Sequence, residues 1–312
     1  MSKITVRDVH VDQVLTNFSV GYHPGGMVAE QVTGVMPVKK ESDKYYVWDR
    51  PSAFRVSSSG TMSLRPDKTE AKVVDFGLDT STYQAEEYAL VALISDREKD
   101  NADDVLKLRE SKARRVKDLI MLEQEIRVAT LMTTTANWAS GHNAEPDPNW
   151  NESSPLIEKD IDTGKEKVRQ AIGFEPNTII IPAAVAKWVK RDSTIRELIK
   201  YTQNNLLVNG DLPPTMFNMN VVIPGSIYTN SAEGASSITY SDVWSDSVVL
   251  TYMPPGVTLD SPQGVKIFRS QRDMVRTWRE EKKRSEAIEF SVVQDEVVTS
   301  SLSGYVLTNT LS

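Results

Sequence analysis

The sequence predicts an α+β fold, and three observations carry that prediction. One long stretch, residues 103–136, has apolar residues at helical spacing and no glycine or proline until Gly141. The region that follows alternates short helical and strand patterns, and the tail from residue 265 onward is rich in strand patterns. No internal repeat is visible, so the 312 residues make one large domain or two smaller ones.

Residues 1–40 are expected to form an irregular N-terminal arm. Glycines and prolines interrupt its apolar runs, at Gly21, Pro24, Gly25, Gly26, Gly34 and Pro37. Such interruptions end helices and strands early. An arm of this kind gains stability by lying over another surface, and a frayed terminus is the alternative.

Residues 41–86 are expected to form a projecting two-stranded loop. The apolar residues of its two strands are Tyr45, Tyr46, Trp48, Phe54, Val56, Val74, Phe76 and Leu78. The polar linker between the strands is longer than a simple hairpin needs. Because an isolated ribbon is marginal in water, we expect the loop to lie on a second surface, either a neighbouring chain or its own body.

The clearest helix is the stretch 103–136. Asp103 and Asp104 supply capping groups and favourable charge at its N-terminus. Its length would be on the order of 50 Å, at 1.5 Å per residue. The apolar positions hold no strict heptad, which argues against a coiled coil. Its basic residues are interrupted by Glu110 and Asp118, which favours a solvated or interface face over a nucleic-acid site.

The middle and the tail contain short elements that prolines and glycines separate. We expect helices at 158–172, 182–189 and 194–201, and strands at 178–181, 221–223 and 248–250. The tail is expected to contain a strand through Ile288 and Phe290, a turn at Asp295 and Glu296, and a last strand after Gly304.

The sequence offers no pattern for catalysis or for binding of a cofactor or metal. The absence of cysteine excludes disulfides and thiolate metal sites. His10, His23 and His142 share no metal-ligand spacing. No dinucleotide, phosphate-loop, hydrolase-elbow or zinc-protease motif occurs. We therefore predict no catalytic, cofactor-binding or metal-binding residue.

The net charge of the chain further limits the classes of function that the sequence supports. The formal net charge of −7 argues against a dedicated nucleic-acid binder, which carries a basic surface. The same negative charge suits a protein shell that encloses a polyanion without binding it tightly. The solubility of an ordinary acidic protein explains the charge equally well. The first residues lack the apolar region of a signal peptide, and no apolar run approaches the roughly 18 residues of a membrane span. We expect no membrane association and a chain made in the cytoplasm.

Several motifs resemble those of tailed-bacteriophage major capsid proteins, in the same order. They are Asn177–Pro182, Trp188–Ile195, Ile199–Thr202, Val221–Gly225, Val248–Pro255, Val275–Arg284, Ile288–Phe290 and Gly304–Asn309. Their shared order from about residue 40 onward carries the resemblance. The sequence departs from the family's pattern at Pro224, where valine or isoleucine is commoner, and the arm has no counterpart.

The resemblance implies the Hong-Kong-ninety-seven-type capsid fold in five regions. These are an arm at 1–40, an extended loop at 41–86, a peripheral domain with a spine helix at 87–140, an axial domain at 141–265, and a return to the peripheral domain at 266–312. It implies a structural, non-enzymatic protein that assembles in the host cytoplasm into the pentamers and hexamers of an icosahedral virion head around double-stranded DNA.

The resemblance also implies partners and contact residues. The partners are further copies of the chain, a portal, packaged DNA without sequence-specific contacts, an optional decoration protein and a separate scaffolding protein, since no helical scaffolding segment precedes the arm. The inter-subunit contact candidates are Tyr45, Tyr46, Trp48, Phe54 and Arg65. Some relatives cross-link a loop lysine to an asparagine of a neighbour, and the nominal candidates here are Lys68, Lys72 and Asn309.

Three alternatives remain open. The first is an encapsulin-like compartment shell of the same fold, which would hold cargo protein instead of DNA. The second is an α/β enzyme with a site in residues 158–260. The third is a monomeric adhesion or binding module.

Overall fold

The structure, a computed structural model, confirms the predicted α+β class, since 29% of the chain is helical and 31% is strand. It describes residues 10–12, 15–16, 25–47, 54, 56, 59, 61–73, 79–102, 105–200, 212–232, 234–256, 258 and 261–312. In chain order the strands are β1 (His10–Val11), β2 (Gly34–Pro37), β3 (Ser42–Val47), β4 (Asp79–Gln84), β5 (Glu86–Ser95), β6 (Asn143–Ala144), β7 (Thr178–Ile180), β8 (Thr215–Met216), β9 (Met219–Val222), β10 (Ile227–Tyr228), β11 (Ser241–Asp242), β12 (Val248–Thr251), β13 (Val265–Glu280), β14 (Ser285–Val298) and β15 (Gly304–Leu307). The helices are α1 (Ala29–Val32), α2 (Asp96–Asp100), α3 (Val105–Thr133), α4 (Ile157–Ile172), α5 (Ala183–Val189) and α6 (Ser193–Lys200).

The first of two main sheets has five strands. Its order is β1-β13-β14-β5, and β2 adds in parallel along the first part of β13. β13 and β14 form a long antiparallel hairpin that a short 3-10 turn, Glu281–Lys283, closes. Register shifts on either side of Gln271 mark an irregularity in this hairpin.

The predicted long helix is confirmed as α3, which at 1.5 Å per residue is about 43 Å long. One of its faces packs on the first sheet, where Val116 and Ile120 share a buried cluster with Ile288 and Phe290. Fully burying a side chain of this kind contributes about 1.5–3 kcal/mol. The helix is therefore held by its packing on the sheet, as its apolar spacing predicts.

The second main sheet has six strands in the order β6-β15-β12-β7-β9-β8. All four residues of β12 are buried, as expected of a central strand. Helix α4 packs on this sheet, and Gly164 makes the close approach possible. A Cβ atom at Gly164 would lie 2.7 Å from Cδ1 of the Tyr305 ring, so a larger residue would push the helix away.

The described part of the arm contains only short elements, in keeping with its glycines and prolines. Strand β1 pairs with β13 at one place and β2 pairs with it at another. Leu15 is fully buried in the cluster that α3 forms with the first sheet. The described arm thus lies over its own chain.

Two predictions of local structure are wrong. Asp295 and Glu296 form no turn but lie inside β14, because both carboxylates find partners there. Asp295 accepts a hydrogen bond from the Gln84 backbone N–H at 2.8 Å, and Glu296 pairs with Arg127. In the extended loop, Phe54 has a helical backbone and is not part of a strand.

The last strand also departs from the expected plan of the tail. Strand β15 pairs with β12 and β6, so residues 304–307 belong to the second sheet, whereas β13 and β14 belong to the first. The loop residues Trp48, Val74, Phe76 and Leu78 lie outside the described residues.

Candidate assembly surfaces

The extended loop is rooted on the body of its own chain. Strands β3 and β4 form a separate two-stranded sheet. The Tyr45 ring packs on Phe268 of β13 with ring centroids 5.2 Å apart, and the Tyr83 ring stacks on Phe268 at 4.6 Å. The Tyr83 hydroxyl donates to the Lys40 carbonyl at 3.1 Å. Tyr45 is only 3% exposed, so a single chain already covers this contact candidate.

The structure distributes the other contact candidates differently. Tyr46 is 43% exposed, and Phe54 is 49% exposed, with its ring against Gly173. Arg65 is exposed, and its guanidinium donates to a carbonyl of its own turn. Trp48 lies outside the described residues. The surfaces of Tyr46, Phe54 and Arg65 are therefore open to a second chain.

The cross-link candidates lie in two distant parts of the sequence. Lys68 and Lys72 are exposed in the distal part of the extended loop. Asn309 follows β15, and its side-chain amide donates to the Glu145 carboxylate at 2.8 Å. The asparagine is thus engaged within its own chain.

The region in which a rival enzyme site would lie contains an open cleft of about 460 Å³. Its walls include Glu158, Asp162 and Asp192. The Asp192 carboxylate accepts the Ile195 backbone N–H at 3.0 Å and so caps α6. That hydrogen bond explains the placement of Asp192 without a catalytic role.

One carboxyl near this cleft has a perturbed pKa. Burial raises the pKa of Asp160, and a hydrogen bond from the Trp150 indole, at 3.0 Å, counters part of the rise. The bond fixes the loop before α4 onto that helix. Acid–base catalysis needs two titratable groups that face one substrate position, and the partner of Asp160 is an indole.

The described residues form no candidate metal site. Within them, no cluster of three or more histidine, aspartate or glutamate side chains is placed to hold an ion. In the same part of the chain, no helix is both long and apolar enough to span a bilayer.

Glu125 is a buried carboxylate that holds three segments together. One of its oxygens accepts the backbone N–H groups of Val28 and Ala29, at 3.0 and 2.7 Å. The other accepts the Trp244 indole at 2.6 Å and the Ser226 hydroxyl at 3.5 Å. Burial raises the pKa of Glu125, and these hydrogen bonds counter part of the rise. The carboxylate connects α3 to the arm and to the segment before β12.

A second polar contact inside the fold joins α3 to β14. The Arg127 guanidinium donates to both oxygens of Glu296, at 2.9 and 3.0 Å, and lies 3.8 Å from the centre of the Tyr88 ring. Sequence reasoning missed both Glu125 and Arg127. The available signal was an ionisable residue on the apolar face of a long helix, where a charge needs a partner.

Known proteins resemble this chain over much of its length. No protein-family model matches it. A curated relative, the major capsid protein of Burkholderia phage BcepMu, is 27% identical over 249 residues, which are 78% of this chain and 76% of the relative. The capsid of cyanophage P-SCSP1u has a TM-score of 0.62 at 10% identity, over 92% of this chain and 89% of that one. The chain is similar to phage major capsid proteins, and these relatives support a structural capsid role.

Other solved structures place this capsid protein within the same fold. A phage-related protein from Bordetella bronchiseptica RB50 has a TM-score of 0.73 at 18% identity, covering 96% of this chain and 97% of that one. A virus-like particle from Pyrococcus furiosus has a TM-score of 0.52 at 12% identity, over 94% and 95% of the two chains. At these identities the likeness concerns the fold alone.

The relatives named major capsid protein support one of the function classes. This capsid protein has a structural role, and the compartment-shell and enzyme alternatives have no better support. The predicted capsid fold is likewise confirmed. Its functional surfaces are therefore those that contact other chains.

Proposed function

We propose that this capsid protein forms the pentamers and hexamers of an icosahedral phage head, which encloses double-stranded DNA. The observation that carries the proposal is the match to a major capsid protein over 78% of the chain. We propose no catalytic role, and one of the three carboxylates that line the cleft between α4 and α6, Asp192, is engaged in capping α6.

Two structural units fit the domain scheme of the family. The first sheet with α3 would be the peripheral domain, built from residues 87–140 and 265–298. The second sheet with its helices would be the axial domain, residues 141–264. We assign 304–307 to the axial domain as well, because β15 pairs with β12 and β6.

The extended loop supplies the proposed overlap between neighbouring subunits. Its base is fixed by Tyr45, while its distal residues 61–73 are almost all exposed. Tyr46, Phe54 and Arg65, together with Trp48, are the proposed contact residues on a neighbour. Aromatic side chains and arginine contribute most of the binding energy at protein interfaces, which favours these four.

Charge supports the proposed contents of the head. With a net charge of −7, the shell wall would repel packaged DNA on average, so the DNA could be packed without being held at specific sites. We propose that assembly takes place in the host cytoplasm with a separate scaffolding protein, and that the head also contains a portal and accepts a decoration protein.

Electron microscopy of the full-length chain tests this function. We expect closed, regular shells when the chain is produced with a scaffolding protein, and irregular particles or free capsomers when it is produced alone. Regular shells from the chain alone would contradict the need for a scaffold. A chain that stays monomeric under both conditions would contradict the shell function itself.

A further inference from the structure

A second, smaller hairpin lies at residues 226–242, of which the structure describes all but residue 233, and it is separate from both main sheets. Its strands β10 and β11 pair through Ile227 with Asp242 and through Tyr228 with Ser241. Within the described residues, these two strands form a sheet of their own. The 226–242 hairpin is thus an outgrowth that belongs to neither of the two main sheets.

The base of the hairpin is held firmly. The Val243 backbone N–H donates to the Ser226 carbonyl at 3.0 Å. Directly beyond it, the buried Trp244 indole donates to Glu125 of α3 at 2.6 Å. A projection fixed in this way presents its outer residues in one orientation, which lowers the entropic cost of binding.

The hairpin carries three large apolar side chains that are open to solvent. Ile227 is 52% exposed, Ile238 is 54% exposed and Tyr240 is 61% exposed. Ile227 pairs with Asp242 in the register, and Ile238 and Tyr240 lie in the segment that leads into β11. An exposed apolar cluster of this kind is typical of an interaction site.

The charge of the hairpin indicates its partner. Residues 226–242 contain Glu233 and Asp242 and no lysine, arginine or histidine. The complementary feature on this chain is the turn between β13 and β14, where exposed Lys282, Lys283 and Arg284 outnumber the exposed Glu281, which pairs with Arg279 of its own chain. Their aliphatic stems can cover apolar residues while their charged ends meet carboxylates and the face of a tyrosine ring.

The two features are anchored at different places along α3. The turn lies beside Glu286, which pairs with Arg109 near the start of α3 at 2.8 Å. The hairpin is tied to Glu125, farther along the same helix. These two points are on the order of 24 Å apart along α3. This separation favours a contact between the hairpin and the turn of different copies.

We propose that the 226–242 hairpin of one subunit docks on the 281–284 turn of a neighbouring copy. The contact is heterologous, since each subunit gives a hairpin on one side and a turn on the other, and such contacts close into rings. This inference rests on the proposed shell function and adds to it a contact outside the extended loop.

Charge reversal tests the pairing in the full-length chain, co-produced with a scaffolding protein. We expect Asp242→Lys alone, and Lys282→Glu with Lys283→Glu, each to raise the subunit concentration needed for assembly about tenfold. Combining all three substitutions in one chain should restore assembly close to the wild-type level. Tyr240→Ser should weaken assembly in the same way, because it removes the exposed ring. Light scattering gives the threshold concentration.

Matched controls separate assembly from folding. Lys167→Glu reverses an exposed lysine on α4 and should leave the threshold unchanged. Thermal unfolding of unassembled subunits should be alike for all variants, because the altered side chains are exposed. Wild-type thresholds in the single-site variants, or no rescue in the combined variant, would overturn the docking proposal while the shell function stands. A wild-type chain that never forms shells would overturn both.

Discussion

Glu125 is a residue on which several separate segments of the described chain depend. Glu125→Ala would leave the N–H groups of Val28, Ala29 and Trp244 buried without their acceptor. Each unsatisfied donor costs about 1–3 kcal/mol, so we expect a loss of roughly 3 kcal/mol or more in the free energy of unfolding. Chemical denaturation of unassembled subunits measures it. Glu125→Gln keeps the size and one acceptor, and should lose less; equal stability of Glu125→Ala and wild type would contradict the role.

The same residue gives a pH dependence with a definite sign. Burial raises the pKa of Glu125 above that of the unfolded chain, so the folded state binds this proton more tightly. The stability that this group contributes is present below the unfolded pKa of about 4.3 and is lost as pH rises through the folded pKa. The stability of wild type relative to Glu125→Gln should therefore fall as pH is raised. A difference that stays constant across the series would contradict this assignment.

The Trp138 ring packs so closely on Gly304 that no side chain fits at this position. A Cβ atom there would lie 2.8 Å from Cε3 of the Trp138 ring and closer still to two other ring atoms. The Trp138 indole also donates to the Met132 carbonyl at 2.9 Å, which fixes the ring. We expect Gly304→Ala to lower the free energy of unfolding by about 1–3 kcal/mol through overpacking.

Gly225→Ala is the matched control for that substitution. No atom beyond its chain neighbours lies within 4 Å of the Cβ position at Gly225, so this variant should unfold like the wild type. A Gly304→Ala variant as stable as Gly225→Ala would show that the Trp138 ring can move freely.

At the scale of elements, the extended loop has a root and an outer part with different roles. Tyr45→Ala removes a buried ring that packs on Phe268 and should cost about 3 kcal/mol of stability. Tyr46→Ala, one residue on, removes an exposed ring and should leave stability nearly unchanged while weakening assembly. Thermal unfolding and light scattering separate the two effects. The reverse pattern, with Tyr46 stabilising the subunit, would contradict the assigned roles.

Sequence periodicity was sufficient to predict those elements in which the spacing of apolar residues determines which face is buried. The apolar spacing of α3 and the alternation through Ile288 and Phe290 predict their packing, because each depends on residues close together in sequence. The turn expected at Asp295 and Glu296 was wrong, because the partners of those carboxylates come from Arg127 and Gln84. Contacts between residues far apart in sequence leave no local signal.

The candidate contact surface on the extended loop was also only partly predictable from the sequence. The aromatic run of the extended loop indicated a contact surface, but only the structure separates buried Tyr45 from exposed Tyr46. Phe268, which covers the first of these rings, lies over 200 positions away in the chain. The hydrogen bonds between Glu125 and the arm were equally unpredictable from the sequence. The Glu125 carboxylate and the backbone N–H groups that donate to it meet only in the folded chain.

At the scale of the whole molecule, helix α3 packs against both main sheets. It packs on the first sheet along much of its length, and its last turns enter the cluster of Val128 and Met132 with Ile180 and Val249 of the second. The extended loop and the 226–242 hairpin project from this body as sheets of their own. We propose that these two outgrowths bind the neighbouring subunits.

Cryo-electron microscopy of particles formed by the full-length chain, co-produced with a scaffolding protein, tests the central claim most directly. We predict a closed shell in which residues 61–73 of each subunit lie on an adjacent copy, with Tyr46 covered by that copy. A shell in which every extended loop folds back on its own subunit, or a preparation that contains monomers alone, would contradict it.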